Sequence, residues 1–552
     1  MRNEWVAFSA ICETGDRKPA SFRVMPGDLR GPGGSSIPAK AIRLSRAWYQ
    51  HAGKGERGWY ADPLLPLAAG EAFAVPDPRN AVPAQFTQAV YAEVYVPRNA
   101  PPGRYEGKLT VEADGPSTGS GLADGTAIPL TVSLEVARGV MPGAARFVWS
   151  LNAYDPPPEE QAYYAMAHAH RGTLAILHYS HSGNQSAGAV PAVTGKGGAM
   201  RVKDWSAWDA RFGPLFDGSA FAGTGREDVP LDHFYLALSE NYPTTMSEGY
   251  RWNHLKWEDH WEKAGPVEEG FSREYHEAWV AVAAGYLRHI REKGWKTQFQ
   301  VYLNDKYFYK QYDPKVKAWG RGTSFWLLDE PQHLDDFLAL RYFGRMLREA
   351  QAGDRSRLIF RADLSRPEWG RDTLDEVVDL DVDGAFAKQR ALLEELRERH
   401  GRRIWTYGDL PSSTASALAL SVQALTLYGN GVDGYVPWLV LGGEENWRTF
   451  ATTCLLYTGK PFGIAGPCAS LRLKGLRRAE QDVEYAGMLA ERRGLLRDDP
   501  NRRRLGVLLA EVFPAGNRQV RLDEQGGFYA VYATPDPGRL EAFRAAAREA
   551  VR

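Results

Sequence analysis

A chain of 552 residues is longer than one ordinary hydrophobic core serves, so two or more domains are expected. Its 44% hydrophobic and 24% charged residues are those of a globular protein, and a formal net charge of −1 with both signs interspersed argues against nucleic acid or an anionic membrane surface as a partner. The scattered cysteines Cys12, Cys454 and Cys468 offer neither a disulfide framework nor metal-ligand spacing, and no apolar run reaches the roughly 18 residues of a membrane span. The start, Met1-Arg-Asn-Glu-Trp5, lacks the apolar core of a signal peptide. It reads as cytoplasmic as written, and as secreted or periplasmic if a leader has been removed. Aromatics are plentiful, with 17 Trp and 26 Tyr. Exposed aromatics offer flat apolar platforms suited to sugar rings, and buried ones make an ordinary core.

In chain order, residues 1–142 read as a β-sandwich domain. Short apolar runs are broken by Gly and Pro clusters, and residues 89–96 alternate polar with apolar. Residues 104–111 and 128–136 are further strand candidates, joined by a Gly/Ser/Pro hairpin loop over 114–125. From Arg146 onward strands alternate with helices. The strand candidates are 147–152, 174–179, 298–303, 324–329, 357–363, 378–386, 403–407 and 434–439. Helices are predicted over 272–292, 334–350, 388–400 and 413–428. Eight such units fit a (β/α)₈ TIM barrel over residues 143–500. A ninth candidate, 233–238, is assigned to a Gly- and Trp-rich insertion over 180–270, between the second and third barrel strands. Residues 501–552 read as a small C-terminal α/β extension, with β-like runs at 505–512 and 527–532 and a helix at 537–551.

In such a barrel the chemistry sits at the C-terminal strand ends and in the loops that follow. The run Phe325–Leu328 ends in Asp329-Glu330-Pro331. Adjacent residues on an ideal strand point to opposite faces, so both carboxylates reach one site only where the backbone turns. Asp-Glu-Pro is equally a helix start, with acids at the positive end of the helix and Pro in its first turn. The other strand ends supply candidate substrate-binding groups: Asn152, His178, Tyr302, Asn304, Arg361, Trp405, Tyr407 and Trp438. Tyr302 and Asn304 flank Leu303 and share a face. Asp381 and Asp383 form a rival carboxylate pair, and His178 with His181 lacks the carboxylate partners of a metal site. No metal and no cofactor is called for.

The segment Trp326-Leu-Leu-Asp-Glu-Pro331 resembles the Asp-Glu motif of glycoside hydrolase family 123, the β-N-acetylgalactosaminidases, and of the wider uncharacterised group sharing its catalytic domain. Tyr95-Val-Pro-Arg-Asn-Ala-Pro-Pro-Gly-Arg-Tyr-Glu-Gly107 and Arg2-Asn-Glu4 resemble its sandwich motifs. Gly431-Val-Asp-Gly-Tyr-Val-Pro-Trp438 resembles its last barrel strand, and Leu471–Arg477 with Asp482–Tyr485 its closing helix. Arg477-Arg-Ala-Glu480 lacks the glycine usual there. Family members generally carry sequence before the Asn-Glu motif, here at residue 3, so a longer native N-terminus is expected.

The resemblance implies a retaining exo-β-N-acetylgalactosaminidase that uses the 2-acetamido oxygen of its own substrate as nucleophile, an exception to the two-carboxylate scheme. It implies Glu330 as the acid and later the base, with an ionised Asp329 orienting the acetamide. Repulsion between neighbouring carboxylates is expected to separate their protonation states. The partner is then a carbohydrate with a terminal 2-acetamido sugar. GalNAc and GlcNAc differ only at C4, and the sequence does not separate them. A glycosidase for another sugar and a non-catalytic glycan-binding barrel are the alternatives. Oligomeric state is not legible.

Overall fold

The computed structural model describes residues 1–14, 18–52, 58–114, 126–320, 322–384, 386–412, 414–495, 505, 519–522, 528–531 and 536–550. Two antiparallel sheets make up the N-terminal part. One runs in the order Glu4–Glu13, Thr87–Val96, Ile42–His51, Trp59–Leu67. The other runs Ser36–Ile37, Leu29–Arg30, Gly103–Asp114, Ala20–Pro26, Phe73–Val75, with Thr126–Val136 also paired to Gly103–Asp114. Along Thr87–Val96 every second side chain, from Gln88 to Val96, is buried, as the period of two requires. Val90, Ala92 and Val94 meet Val24, Tyr105 and Leu109 of the other sheet in one core. The loop predicted at 114–125 lies, but for Asp114, outside the described residues.

The second part is a nearly closed parallel barrel of eight strands. In chain order these are Val148–Ala153, Thr173–Ile176, His233–Leu236, Gln298–Tyr302, Leu358–Asp363, Leu380–Val382, Arg403–Gly408 and Gly434–Pro437. The second and third strands lie side by side without a ladder between them, which leaves the ring just short of closure. Long helices follow several strands, among them Arg273–Lys293, Leu334–Gln351 and Leu471–Arg492, but only the single turn Pro367–Gly370 follows the fifth.

Two strand assignments exchange places. His233–Leu236 is the third barrel strand, paired in parallel with Gln298–Val301, and not part of an insertion. The supposed insertion is therefore two loops, before and after that strand. Residues 324–329 are no strand. They lie in the long loop after the fourth strand, and a single bridge ties Leu327 to Lys306. Phe325, Trp326, Leu327 and Leu328 are nevertheless buried. Their backbone finds partners outside any ladder: Leu327 N–H donates to Asp336 at 3.0 Å, and Leu328 N–H to the Asp305 carbonyl at 3.1 Å. A satisfied, buried apolar run need not be a strand.

At the C-terminus Gln519–Leu522 and Phe528–Val531 pair antiparallel, and Pro537–Ala550 is helical. The run predicted at 505–512 lies, but for Leu505, outside the described residues. No described helix is long and apolar enough to cross a membrane.

Ion pairs fasten the sandwich to the closing helix Leu471–Arg492. Glu93, 2% exposed, accepts from Lys474 at 2.6 Å and from Arg477. Burial pushes its carboxyl up, but Arg477 and then Lys474 pull it down to about 2. A depressed carboxyl contributes stability that is present above the ordinary carboxylate range and lost as pH falls through the folded value, here toward 2. Glu93→Ala leaves two buried cations without their partner and is expected to cost about 3–5 kcal/mol. Urea unfolding followed by tryptophan fluorescence checks this, and a loss within about 0.5 kcal/mol, the range of an ordinary surface substitution, would contradict it.

Candidate active site

Asp329 and Glu330 reach one site because the backbone turns between them. Glu330 has φ +58°, a left-handed conformation that costs a residue with a Cβ on the order of 1 kcal/mol. Its N–H donates to the Asp363 carbonyl at the end of the fifth strand, 3.1 Å away, which holds the turn. The helix-start reading fails on geometry. The following helix begins at Leu334 with His333 as its cap residue, and Asp336 accepts from the N–H groups of Gln332 and His333 at 2.9 and 2.8 Å. The helix thus caps itself without Asp329 or Glu330.

Lys306 stands between the two carboxylates. Its ammonium lies 3.0 Å from Asp329 Oδ2 and donates to Glu330 Oε2 at 3.1 Å. Tyr307 N–H donates to the Trp326 carbonyl at 3.0 Å, and that backbone pairing brings the segment around Lys306 alongside the one ending in Asp329. The remaining partners differ. Asp329, 5% exposed, has His181 Nε2 at 3.2 Å. His181 is held in turn by the Tyr154 hydroxyl at 2.7 Å and stacks on Trp438 with centroids 5.7 Å apart. Glu330 Oε1 accepts from Ser365 Oγ at 2.6 Å and from the Tyr407 hydroxyl.

These partners set the charges. Burial pushes the Asp329 carboxyl up, but His181 and Lys306 outweigh it and leave it below the ordinary range. Burial and then Asp329 push Glu330 up, but Lys306, Ser365 and Tyr407 more than compensate, so it too is lowered. The expected repulsion is therefore real but overridden, and the free site favours both carboxylates ionised. The Lys306 ammonium loses stability through burial and regains more from the two carboxylates, so its pKa rises. Beneath them, burial carries Asp363 up to about 6 against the pull of Arg361.

Behind Lys306 a second buried group ties three loops together. Thr323 Oγ1 donates to Asp305 Oδ2 at 2.6 Å and lies 3.2 Å from Glu240 Oε1, while the Tyr179 hydroxyl donates to Glu240. Burial and then Glu240 push the Asp305 carboxyl well above its usual value. Gly183, in the His181 loop at φ +75°, passes so close that a Cβ would meet Thr323 Oγ1 at 2.3 Å.

The strand-end candidates divide. Tyr407 and Trp438 join the carboxylate site. Tyr302, buried, clusters with Tyr154 and Trp438 against the site, and burial and then Asp329 raise its pKa. Asn152, Arg361 and Trp405 fill the barrel interior: Arg361, fully buried, forks onto Asp363 at 2.6 and 2.7 Å, with its guanidinium over Tyr302 at 4.4 Å and Trp405 at 5.8 Å. Tyr235 donates to Asn152 at 2.9 Å. Asn304 is buried and donates to the Tyr179 carbonyl at 2.9 Å. His178 turns away from the site, its ring packed on Phe212 and Phe234, and burial followed by Arg211 lowers its pKa to about 3. Asp381 is paired to Arg402 at 3.2 Å. Among the described residues, no group of three or more His, Cys, Asp or Glu has the arrangement to hold a metal ion.

With this geometry the chain is similar to the family 123 glycoside hydrolase from Clostridium perfringens whose structural analysis addressed glycolipid glycan hydrolysis. The TM-score is 0.57 at 14% identity, over 100% of this chain and 92% of that one. This chain shares the fold of that protein. The CBM22-1–GH10 modules of Clostridium thermocellum endo-1,4-beta-D-xylanase 10B align at TM-score 0.33 and 10% identity, over 85% of this chain and 87% of theirs. The beta-galactosidase from Marinomonas ef1 aligns at 0.32 and 11%, over 62% and 60%. At these scores neither is evidence of a shared fold. No protein-family profile and no curated protein matches the chain.

Lys306, His181, Ser365, Tyr154 and Asp363 were not among the candidates. Apart from Asp363, which ends the fifth strand, each lies past a barrel strand, at the start of the loop that follows. Searching a few residues beyond each strand end would have found them. Lys306→Met is expected to raise the titration of both Asp329 and Glu330, followed by carboxyl ¹³C NMR. If neither moves, Lys306 does not set their charge.

Proposed function

We propose that the chain is a retaining exo-β-N-acetylgalactosaminidase of the β-N-acetylhexosaminidase type, releasing a terminal 2-acetamido sugar from a glycan or glycoconjugate. The observation that carries the reading is the turn at Glu330, which brings two neighbouring carboxylates to one site with different partners. The similarity in fold to a family 123 glycoside hydrolase supports it.

In this reading the substrate's acetamide oxygen attacks C1 while the bond from C1 to the leaving oxygen breaks. Glu330 gives its proton to that oxygen. Asp329, kept ionised by His181 and Lys306, accepts the acetamide N–H and balances positive charge on the oxazolinium. Glu330 then takes a proton from water as the water oxygen bonds to C1, and the acetamide re-forms. Two displacements at one carbon give net retention. Trp438, Tyr154 and His181 provide a wall for the cleaved ring, with Tyr154 edge-on to Trp438 at 5.4 Å.

The test is hydrolysis of aryl β-GalNAc and β-GlcNAc glycosides. Glu330→Gln and Asp329→Asn are each expected to lower kcat/KM by roughly 10²–10⁴-fold, and a thiazoline mimic of the oxazolinium is expected to inhibit. Wild-type inactivity on both sugars, or full activity in both variants, would sink the proposal. The pH dependence follows from the free site. Because the Glu330 carboxyl is lowered, its protonated, acid-competent form is depleted as pH rises through that value. The kcat/KM profile should therefore fall on the alkaline side from an acidic optimum. A profile still rising past neutrality would contradict Glu330 as the acid.

A further inference from the structure

Behind Lys306 lie two buried carboxyls that the proposed reaction does not use. Glu240, past the third barrel strand, and Asp305, past the fourth, are fully buried and in hydrogen-bond contact with each other. Their other hydrogen-bond partners among the described residues are neutral. Glu240 accepts from the Tyr179 hydroxyl and from Asn241 Nδ2 at 3.3 Å. Asp305 Oδ2 accepts from the Ser324 N–H at 3.0 Å, and its Oδ1 from the Lys306 N–H at 2.8 Å. Thr323 Oγ1 touches both carboxyls and accepts from Asn241 Nδ2 at 2.5 Å. Two carboxyls buried in contact resist double ionisation and share one proton instead. The single hydrogen of Thr323 suits such a pair. It goes to Asp305 when that carboxyl is ionised, and turns to Glu240 when Asp305 carries the proton and donates to the hydroxyl.

Of the titratable groups around the pair, Tyr179 and Tyr275 face the Glu240 side, and burial and then Glu240 keep both hydroxyls protonated. Lys306 and Lys310 face the Asp305 side, and burial lowers Lys310 to about 8 against the pull of Asp305. The Lys306 N–H reaches both Asp305 Oδ1 and the His181 carbonyl, the latter at 3.0 Å. One carboxyl therefore grips the main chain where the two residues that partner Asp329 meet. An ionised Asp305 would be a third anion beside Lys306, competing with Asp329 and Glu330 for its ammonium. We propose that Asp305 is a positioning residue for the carboxylate pair: kept neutral by a proton shared with Glu240, it fixes the Lys306 main chain and leaves the Lys306 ammonium to Asp329 and Glu330. The inference rests on the hydrolase reading only for the reaction that those two carboxylates perform.

The experiment follows the Asp and Glu carboxyl ¹³C signals of the full chain with pH, the Asp305 signal being assigned by its loss in Asp305→Asn. In wild type Asp305 is expected to be protonated at neutral pH, where Asp329 is ionised. Ionisation of Asp305 together with Asp329 overturns the proposal. In Glu240→Gln the amide donates to Asp305 and favours its ionised form. The Asp305 titration is then expected to fall, those of Asp329 and Glu330 to rise, and kcat/KM on the aryl β-glycosides to drop roughly 10–10²-fold. Adding Asp305→Asn to Glu240→Gln removes the misplaced charge, and is expected to return the Asp329 and Glu330 titrations and most of kcat/KM. A loss that the second substitution does not reverse, or Asp329 and Glu330 titrations that stay put in Glu240→Gln, makes the pair a structural support alone and overturns the proposal. Wild-type inactivity on both sugars overturns the hydrolase reading, and the titrations then still decide whether a neutral Asp305 leaves Lys306 to its two carboxylates.

Discussion

Two buried carboxylates on neighbouring residues repel each other, by roughly 4 kcal/mol for charges 4 Å apart at an effective dielectric of about 20. The ammonium of Lys306 is what lets Asp329 and Glu330 share a site. Much of the surrounding structure serves that contact. The left-handed turn at Glu330, held by the Asp363 carbonyl, aims its side chain to the same side as Asp329. The bridge between Lys306 and Leu327 sets the lysine against both. Asp305, next in the chain to Lys306, is anchored by Thr323 and the N–H of Ser324. Were the lysine absent, His181 alone would be left to oppose burial at Asp329, and the Ser365 and Tyr407 hydroxyls to oppose burial and the Asp329 charge at Glu330.

The site is asymmetric although its two acids are adjacent. One oxygen of Asp329 is shared between an imidazole and the ammonium. Glu330 divides its oxygens between the ammonium and a pair of hydroxyls, from Ser365 and Tyr407. Hydroxyls can accept as well as donate, so the Glu330 side accommodates a proton more readily than the Asp329 side does. This difference fits the proposed division of roles, in which the aspartate stays charged and the glutamate carries the proton.

Seven of the eight barrel strands were legible in the sequence because each is a short apolar run bounded by loop residues. Residues 324–329 carry the same signal without being a strand. Phe325–Leu328 are as buried as a central strand, and hydrophobicity reports burial, whereas hydrogen bonds to Asp336 and Asp305 are invisible in it. The true third strand, His233–Leu236, was legible as a strand but was assigned to an insertion because of its Gly- and Trp-rich flanks. Asp329 and Glu330 nonetheless lie at the barrel end where they were expected, because a loop after the fourth strand opens on the same end as a strand terminus. Lys306 and His181 lie a few residues past their strand ends, and their partners, 23 and 148 residues away along the chain, are what single them out there. His178, nearer the strand and so the stronger candidate on paper, faces the helix layer instead.

In the proposed reaction the acetamide of the substrate is the nucleophile, with Asp329 orienting it and Glu330 moving the proton. The direct measurement is kcat/KM for aryl β-glycosides whose 2-acetamido group carries none, one, two or three fluorines. Each fluorine withdraws electrons from the carbonyl oxygen and weakens it as a nucleophile. A steep, progressive fall along the series is the expected result, and rates that do not vary with fluorination would contradict the account.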